Sequence, residues 1–305
     1  MSLSKLLPDA DRSVRRLITV QQTRNPYPVF LYKYRTGNED YLDRLIVHSE
    51  LYFSHRDDFN DPFDARCNTV LEGSGQERQM RFRELIEGRK ISFKTREKLR
   101  TQFLDPDRAR KLSQRTTEEI ADSIGLYSLA ETPRSLLMWA HYAAEHKGIC
   151  LQFYLPEDLS LFKGALPVVY SENFPVVNML DRTDREKGAL RAYLTKSLEW
   201  RYEEEWRLFL RGQTRTSVPF APGALVGVIY GARCTPETVQ RVQTMIARRE
   251  KLGRRRLYEW KATLSPRHYG VGIFTHLVGP SKQWDGRPSS RSKSVAARSA
   301  DAQPR

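Results

Sequence analysis

Cysteine is scarce in this chain of 305 residues, where Cys67, Cys150 and Cys234 stand far apart and odd in number. That usage excludes a disulfide framework or a cysteine-built zinc site and fits buried free thiols in a reducing, cytoplasmic setting. Long apolar runs are missing as well. No stretch approaches the ~18 residues that a membrane-spanning helix requires. The amino terminus, Met1-Ser-Leu-Ser-Lys-Leu-Leu-Pro-Asp-Ala-Asp-Arg12, has no apolar centre or cleavage site, so no secretory signal is expected. Also absent are a Gly-rich phosphate loop, a Gly-x-Ser-x-Gly elbow and zinc-finger spacing, and with them the function classes they serve.

Acidic residues are in deficit: 37 Asp and Glu face 51 Lys and Arg, for a net charge of +14. Such a balance invites a nucleic-acid reading, but the cations gather in three places. Residues 281–305 carry six basic residues against two acids and few large apolar ones, which predicts a disordered basic tail. Arg248-Arg-Glu-Lys-Leu-Gly-Arg-Arg-Arg256 adds six bases against one acid, where a helix carboxyl terminus would favour cations. Residues 76–118 supply thirteen basic and seven acidic residues. None of these segments interleaves aromatics with cations as a base-stacking platform does. The charge implies weak, nonspecific, salt-sensitive polyanion binding.

Hydrophobic periodicity gives an α+β fold: a mostly antiparallel sheet with surrounding helices and a charged helical insertion near 76–122. Strands are expected at 29–35, 50–55, 124–129, 147–154, 165–170, 206–210, 225–230, 256–264 and 271–277. A helix capped by Asn38, with Glu39 and Asp40 in its first turn, should bury Leu42, Leu45 and Ile46. Leu190, Leu194 and Leu198, four residues apart, predict a helix over 183–200. Thr235-Pro-Glu opens another, with Val239, Val242 and Ile246 inward. The expected organisation is an amino-terminal segment 1–28, one α+β domain over 29–280, and the tail 281–305.

The stretch Trp200-Arg-Tyr-Glu203-Glu204-Glu205-Trp206-Arg207 carries the most chemistry. Three consecutive carboxylates repel one another and resist desolvation, so packing alone does not call for them. In extended backbone Glu203 and Glu205 share a face and Glu204 takes the other. Two carboxylates beside aromatic rings and Arg207 form a candidate reaction centre; a solvated strand start with an Arg-carboxylate pair is the alternative.

Leu31-Tyr-Lys-Tyr-Arg35, Phe59-Asn-Asp-Pro-Phe-Asp64, Leu137-Met-Trp-Ala-His-Tyr142 with Lys147-Gly148, and Trp200 to Arg207 together resemble a bacterial family catalogued as domain of unknown function 2971. The resemblance extends over about residues 29–265. Asp64 stands where that family usually carries Glu, and Ser128-Leu-Ala-Glu131 replaces a more common Cys/Phe-Ser-Glu run. The order of Arg35, Ser54 and Glu203-x-Glu205 also resembles ADP-ribosyltransferases of the Arg-Ser-Glu type. That resemblance implies a transferase using NAD as substrate, in a bacterial stress, toxin or phage-defence setting, with a protein or nucleic-acid acceptor. Glu205 would stabilise an oxocarbenium-like state and Glu203 would position or deprotonate the acceptor. Arg35 would hold a phosphate, Ser54 would orient neighbouring groups, and Tyr34, Tyr52 or Trp206 would stack on nicotinamide.

Two rival classes remain. One is a non-catalytic nucleic-acid-associated module, resting on the basic surface. The other is a magnesium-dependent nuclease on Glu259-Trp-Lys261, whose acid and base share a strand face and which an ion pair explains equally well. His141, Glu145 and His146 lack the spacing of a metal site, and a partly buried His141 at a helix end is the simpler expectation. Met138, Trp139 and Tyr142 are expected in the core, with a pocket wall as the alternative, and Asn60 and Asp61 in a backbone-shaping turn, with the lining of a polar pocket as the alternative.

Overall fold

A computed structural model describes residues 28–275 apart from Glu39. Residues 1–27, the tail 281–305 and Glu39 lie outside the described residues. In chain order the strands are β1 (Phe30–Arg35), β2 (Glu50–Phe53), β3 (Asn68–Val70), β4 (Ile124–Ala130), β5 (Ile149–Tyr154), β6 (Leu166–Pro167), β7 (Val169–Ser171), β8 (Val176–Asn178), β9 (Thr195–Ser197), β10 (Glu205–Arg211), β11 (Thr216–Pro219), β12 (Leu225–Tyr230), β13 (Tyr258–Leu264) and β14 (Val271–Thr275). The α-helices are α1 (Gly75–Ile86), α2 (Phe93–Leu104), α3 (Pro106–Asp122), α4 (Leu136–Tyr142), α5 (Leu159–Phe162), α6 (Arg182–Leu194) and α7 (Pro236–Lys251).

Eight strands form one sheet in the order β14-β13-β12-β5-β1-β4-β10-β6. Every neighbouring pair is antiparallel except β12 and β13, which α7 joins by a crossover. The expected α+β class with a mostly antiparallel sheet is therefore borne out. The alternation of β1, β5 and β10 sends Leu31, Leu151, Phe153, Trp206 and Leu208 into the main core. Tyr34, Cys150, Trp139 and Ile229 fill a second core on the other face, beside α4.

At one place the sheet parts. Strand β1 runs beside β5 over its full length but meets β4 only at Tyr32 and Ala130. Further along, β4 turns to Ser54 instead, with Ser54 N–H donating to Leu126 O and Leu126 N–H to Ser54 O, each at 2.9 Å. A cavity of about 340 Å³ opens in the gap.

Three helices occupy 75–122, as the charge-rich pattern predicts, around Leu71, Phe82, Phe103 and Ala109. Ser74 and Glu77 close a capping box on α1. Elsewhere the expectations need correction. The helix expected over 183–200 ends at Leu194, where β-branched Thr195 starts a strand parallel to β7 and its hydroxyl donates to Arg191 O. The strand expected at 165–170 is divided by Val168 between two sheets. Leu42, Leu45 and Ile46 are buried as expected, but the helical turn there is a π-helix over Arg44–His48 preceded by Asp43, so Asn38 is not its cap. All three cysteines are buried free thiols, as expected.

Two residues of the basic block at the end of α7, Arg249 and Arg254, turn inward, while Arg248, Lys251, Arg255 and Arg256 stay exposed. Arg249 is fully buried and donates to the carbonyls of Ile46 (2.8 Å), Arg255 (3.2 Å) and Pro222, and to Ser49 Oγ (3.1 Å). Burial, and secondarily Arg254, pulls its guanidinium down to about 10. Arg254 in turn donates to Val47 O and Ser49 Oγ. These two residues tie the α7 end to the π-helical turn. Replacing Arg249 by Leu strands buried carbonyls, and we expect a loss of about 3 kcal/mol or more. Urea unfolding should show this as a lower midpoint.

Candidate active site

The cavity is built by six parts of the chain, one of them strand β4 with residues 126–130. Strand β1 contributes Lys33 and Arg35, β2 and its end contribute Tyr52 and Ser54, and the 59–64 loop contributes Asn60 and Asp64. Tyr142 comes from the end of α4, and Lys196, Glu203 and Glu205 from the run into β10. Residue alternation in β2 sends Leu51 and Phe53 to the core and leaves Tyr52 and Ser54 facing the other way.

Glu203 and Glu205 do converge, but strand alternation is not the reason. Glu203 closes a 3-10 turn over Leu198–Glu203, and Glu204 adopts a left-handed conformation with φ of 43°. That residue turns the chain outward, leaves its own side chain exposed and accepts the Glu131 N–H on its carbonyl at 2.9 Å. A non-glycine residue in that region costs about 1–2 kcal/mol. Here it delivers two carboxylates to one buried spot.

At the centre lies Arg207, fully buried. Its Nη1 and Nη2 donate to the two oxygens of Asp64 at 2.7 and 2.6 Å, and its Nε and Nη2 to those of Glu205 at 2.7 and 2.8 Å. A further Nη1 bond reaches Tyr193 O at 2.7 Å. Lys196 Nζ lies 2.6 Å from Glu203, 3.4 Å from Glu205 and 3.7 Å from Asp64, and 4.7 Å from the centre of the Trp200 ring. The Tyr142 hydroxyl donates to Glu203 Oε1 at 2.6 Å and accepts from Asn60 Nδ2 at 3.0 Å. Three carboxylates thus share two cations.

The two glutamates differ electrostatically. Burial opposes ionisation of Glu205, yet Arg207 and Lys196 outweigh it and hold its carboxyl far below the usual range. At Glu203 burial prevails over Lys196, and its carboxyl is raised. Burial and the neighbouring Glu203 also raise Tyr142, which keeps its proton to donate. Across the cavity, burial and then Arg35 push the Lys33 ammonium well down, and it donates to Ser128 O. Arg35 lies 4.8 Å from the Tyr41 ring centre, and its Nε is enclosed without a hydrogen-bond partner.

Six of the seven residues singled out from sequence line this cavity: Arg35, Ser54, Tyr34, Tyr52, Glu203 and Glu205. Tyr34 borders it while buried, donating to Thr132 O at 2.8 Å and meeting Trp139 edge-on. Trp206 does not line it. Its alternation in β10 places it in the main core, with Nε1 donating to Glu131 at 3.1 Å, which corrects its expected stacking role. Tyr142 packs against the second core and also lines the cavity, as Met138 does, and His141 is exposed, not partly buried. Asp64, Lys196, Lys33 and Tyr142 join the site without having been assigned roles there. Their signal was the Asn-Asp-Pro-Phe-Asp64 loop and a lysine seven residues before Glu203, whose meaning needs the fold.

Glu259 and Lys261 share a face of β13 but lie buried against α7, away from the cavity. Glu259 accepts from Tyr230 at 2.8 Å and Gln243 at 3.2 Å. Among the described residues no group of three His, Cys, Asp or Glu could hold a metal, and no helix is long and apolar enough to cross a membrane.

With this geometry in view, comparison with known families becomes informative. Residues 138–208 match the family described as protein of unknown function (DUF2971). The DUF2971 stretch runs from within α4 into β10 and carries Tyr142, Lys196, Glu203, Glu205 and Arg207. Arg35, Ser54 and Asp64 come before it. The resemblance drawn from the sequence motifs is supported across that stretch. No curated protein and no solved structure gives a match, so the Arg-Ser-Glu likeness rests on these residues themselves.

The opposite shifts predict opposite stability effects. Glu205 titrates in the fold below its unfolded value of about 4.3. Its contribution is therefore present above that pH and lost as pH falls toward the folded pKa. Glu203 is shifted upward, so its ionised form costs stability above its folded pKa, and acid relieves that cost. Glu205→Gln should lose roughly 3 kcal/mol by leaving Arg207 half unpaired. Glu203→Gln should lose substantially less. Parallel denaturant titrations at neutral pH compare the two; equal losses would contradict this assignment.

Proposed function

We propose that this cleft binds NAD, breaks its nicotinamide-ribose bond and transfers ADP-ribose, with Glu203 rather than Glu205 as the carboxylate that stabilises the ribose cation. The observation that carries the reading is the convergence of Arg35, Ser54, Tyr52, Glu203 and Glu205 on one cavity from strands distant in sequence. Glycosidic cleavage develops positive charge on the ribose, and a nearby carboxylate lowers that barrier. Glu203 suits this task. Its oxygens are held by a hydroxyl and a flexible ammonium, not by a guanidinium fork. Glu205, with both oxygens engaged by Arg207, acts as a positioning residue that keeps Lys196 and Glu203 in register.

The opposite end of the cavity is cationic. Arg35 has an enclosed Nε with no partner, and a phosphate placed there would satisfy it bidentately. The same phosphate would add to the support that Glu205 and Glu203 give the Lys33 ammonium against burial and Arg35. A volume of about 340 Å³ is at the small end of ligand sites, which span about 300–1,000 Å³. It accommodates the nicotinamide-ribose half, with the adenosine end directed to the mouth near Tyr52. The buried free thiols support a cytoplasmic location.

Glu203→Gln keeps the shape and removes the charge, so NAD turnover should fall on the order of a hundredfold. NAD affinity should change little. Arg35→Lys should instead weaken NAD binding through loss of the fork. Because Glu203 is shifted upward and must be ionised to act, the rate should rise with pH along an acidic limb centred above the ordinary glutamate value of about 4.3. Nicotinamide release measured across pH for the three proteins decides it. Turnover unchanged in Glu203→Gln, or absent from the unaltered protein with every acceptor offered, would remove the assignment.

A further inference from the structure

Away from the cleft, α3 and the two-stranded ribbon of β3 and β8 enclose an open groove of about 910 Å³. Its charged lining is Arg108, Arg110, Lys111 and Arg115, all exposed and all from α3, and no carboxylate lines it. Asp105 lies 3.7 Å from Arg108 and offsets part of its charge. Among the described residues, no ion pair engages Arg110, Lys111 or Arg115. Four cations of the charged 76–118 segment thus converge on one groove.

Helix stability does not explain this placement. Cations are favourable near a helix carboxyl terminus and unfavourable near the amino terminus. In α3 Arg108, Arg110 and Lys111 lie in the first half and Arg115 just past the middle, Asp107 stands in the first turn, and the last turn holds no basic residue. Glu118, Glu119 and Asp122 occupy the second half. The cations run against the helix dipole, and at its amino-terminal end Asp105 already accepts from the N–H groups of Asp107 and Arg108, so an anion seated in the groove would meet the side-chain cations. Arg108 to Arg115 spans about 10 Å along the helix, the length of about three steps of a duplex strand at roughly 3.4 Å each. No aromatic side chain lines the groove, so stacking on bases is not available.

We propose that this groove is a nucleic-acid docking site that grips the phosphodiester backbone without reading sequence. It is independent of the chemistry assigned to the cleft. Phosphate neutralisation by Lys and Arg releases counterions, so binding should weaken steeply with salt and by a similar factor for unrelated sequences.

The test uses the full chain and fluorescein-labelled 20-nucleotide DNA, single- and double-stranded, in anisotropy titrations across a salt series. Arg110→Gln/Arg115→Gln should weaken binding at least tenfold at low salt and reduce the salt slope by about two. Arg83→Gln/Arg96→Gln removes the same charge from a second hollow, which Glu84 and Glu87 also line. It should change affinity by less than twofold. Melting temperatures of both variants check the fold, and Lys111→Gln/Arg115→Gln repeats the experiment if the first pair is destabilised. Equal losses in the two hollows would reduce the effect to net charge and overturn the proposal. So would the absence of low-salt binding by the unaltered chain, or displacement of DNA by tripolyphosphate at equal phosphate concentration, which would mark a small-anion site.

Discussion

The guanidinium fork of Arg207 between Asp64 and Glu205 is the constraint on which the rest of the site depends. It joins the 59–64 loop to β10, two segments 143 residues apart, through two short hydrogen bonds to Asp64, while two more hold Glu205 within β10, all of them buried. A lysine could not replace it, because a point ammonium lacks the planar geometry that serves two carboxylates at once. With Asp64 fixed, the loop carrying Asn60 is fixed too, and Asn60 orients the Tyr142 hydroxyl that meets Glu203. One buried cation thereby sets the position of groups it does not touch.

Burying five charged groups is a poor way to stabilise a sheet. Desolvation of each ion costs several kcal/mol, and well-packed apolar residues of the same volume would do as well or better. Nor do the charges cancel: three carboxylates stand against Lys196 and Arg207. The cluster is consistent with a site that needs negative charge in a low-dielectric place, with the cations holding it ionised at Glu205 and less so at Glu203. The left-handed Glu204 belongs to the same account, since its strain is local to the turn that presents both neighbours.

Much of this was legible in the sequence. Period-two alternation located most sheet strands, the Thr235-Pro-Glu cap located α7, and the Glu203-Glu204-Glu205 run pointed to the right place. What failed were assignments that depend on tertiary partners. Leu198 continues a helical period, yet Thr195 finds a strand partner in β7 and the helix stops. Trp206 sits beside a carboxylate in sequence and on the opposite face in the sheet. Arg249 belongs to a run that looks like solvent-facing charge, but carbonyls of the π-helical turn claim it. Lys196 carried no motif at all, because its role arises only when the turn after β9 folds back.

The cavity's polarity follows from one topological event, the separation of β1 from β4. An unbroken pairing would have covered the Lys33 and Arg35 region with backbone hydrogen bonds. By meeting β4 at Tyr32 and Ala130 alone, β1 leaves these two cations facing the space that Glu203 and Glu205 enter from β10. Burial, and after it the neighbouring Arg35, depresses the Lys33 ammonium. The resting cavity therefore holds a weakened cation at one end and a carboxylate reluctant to ionise at the other. A ligand bringing an anion to the first end and developing a cation at the second would favour the charged forms of both groups. The site is matched to a charge distribution it does not itself possess until the ligand is present.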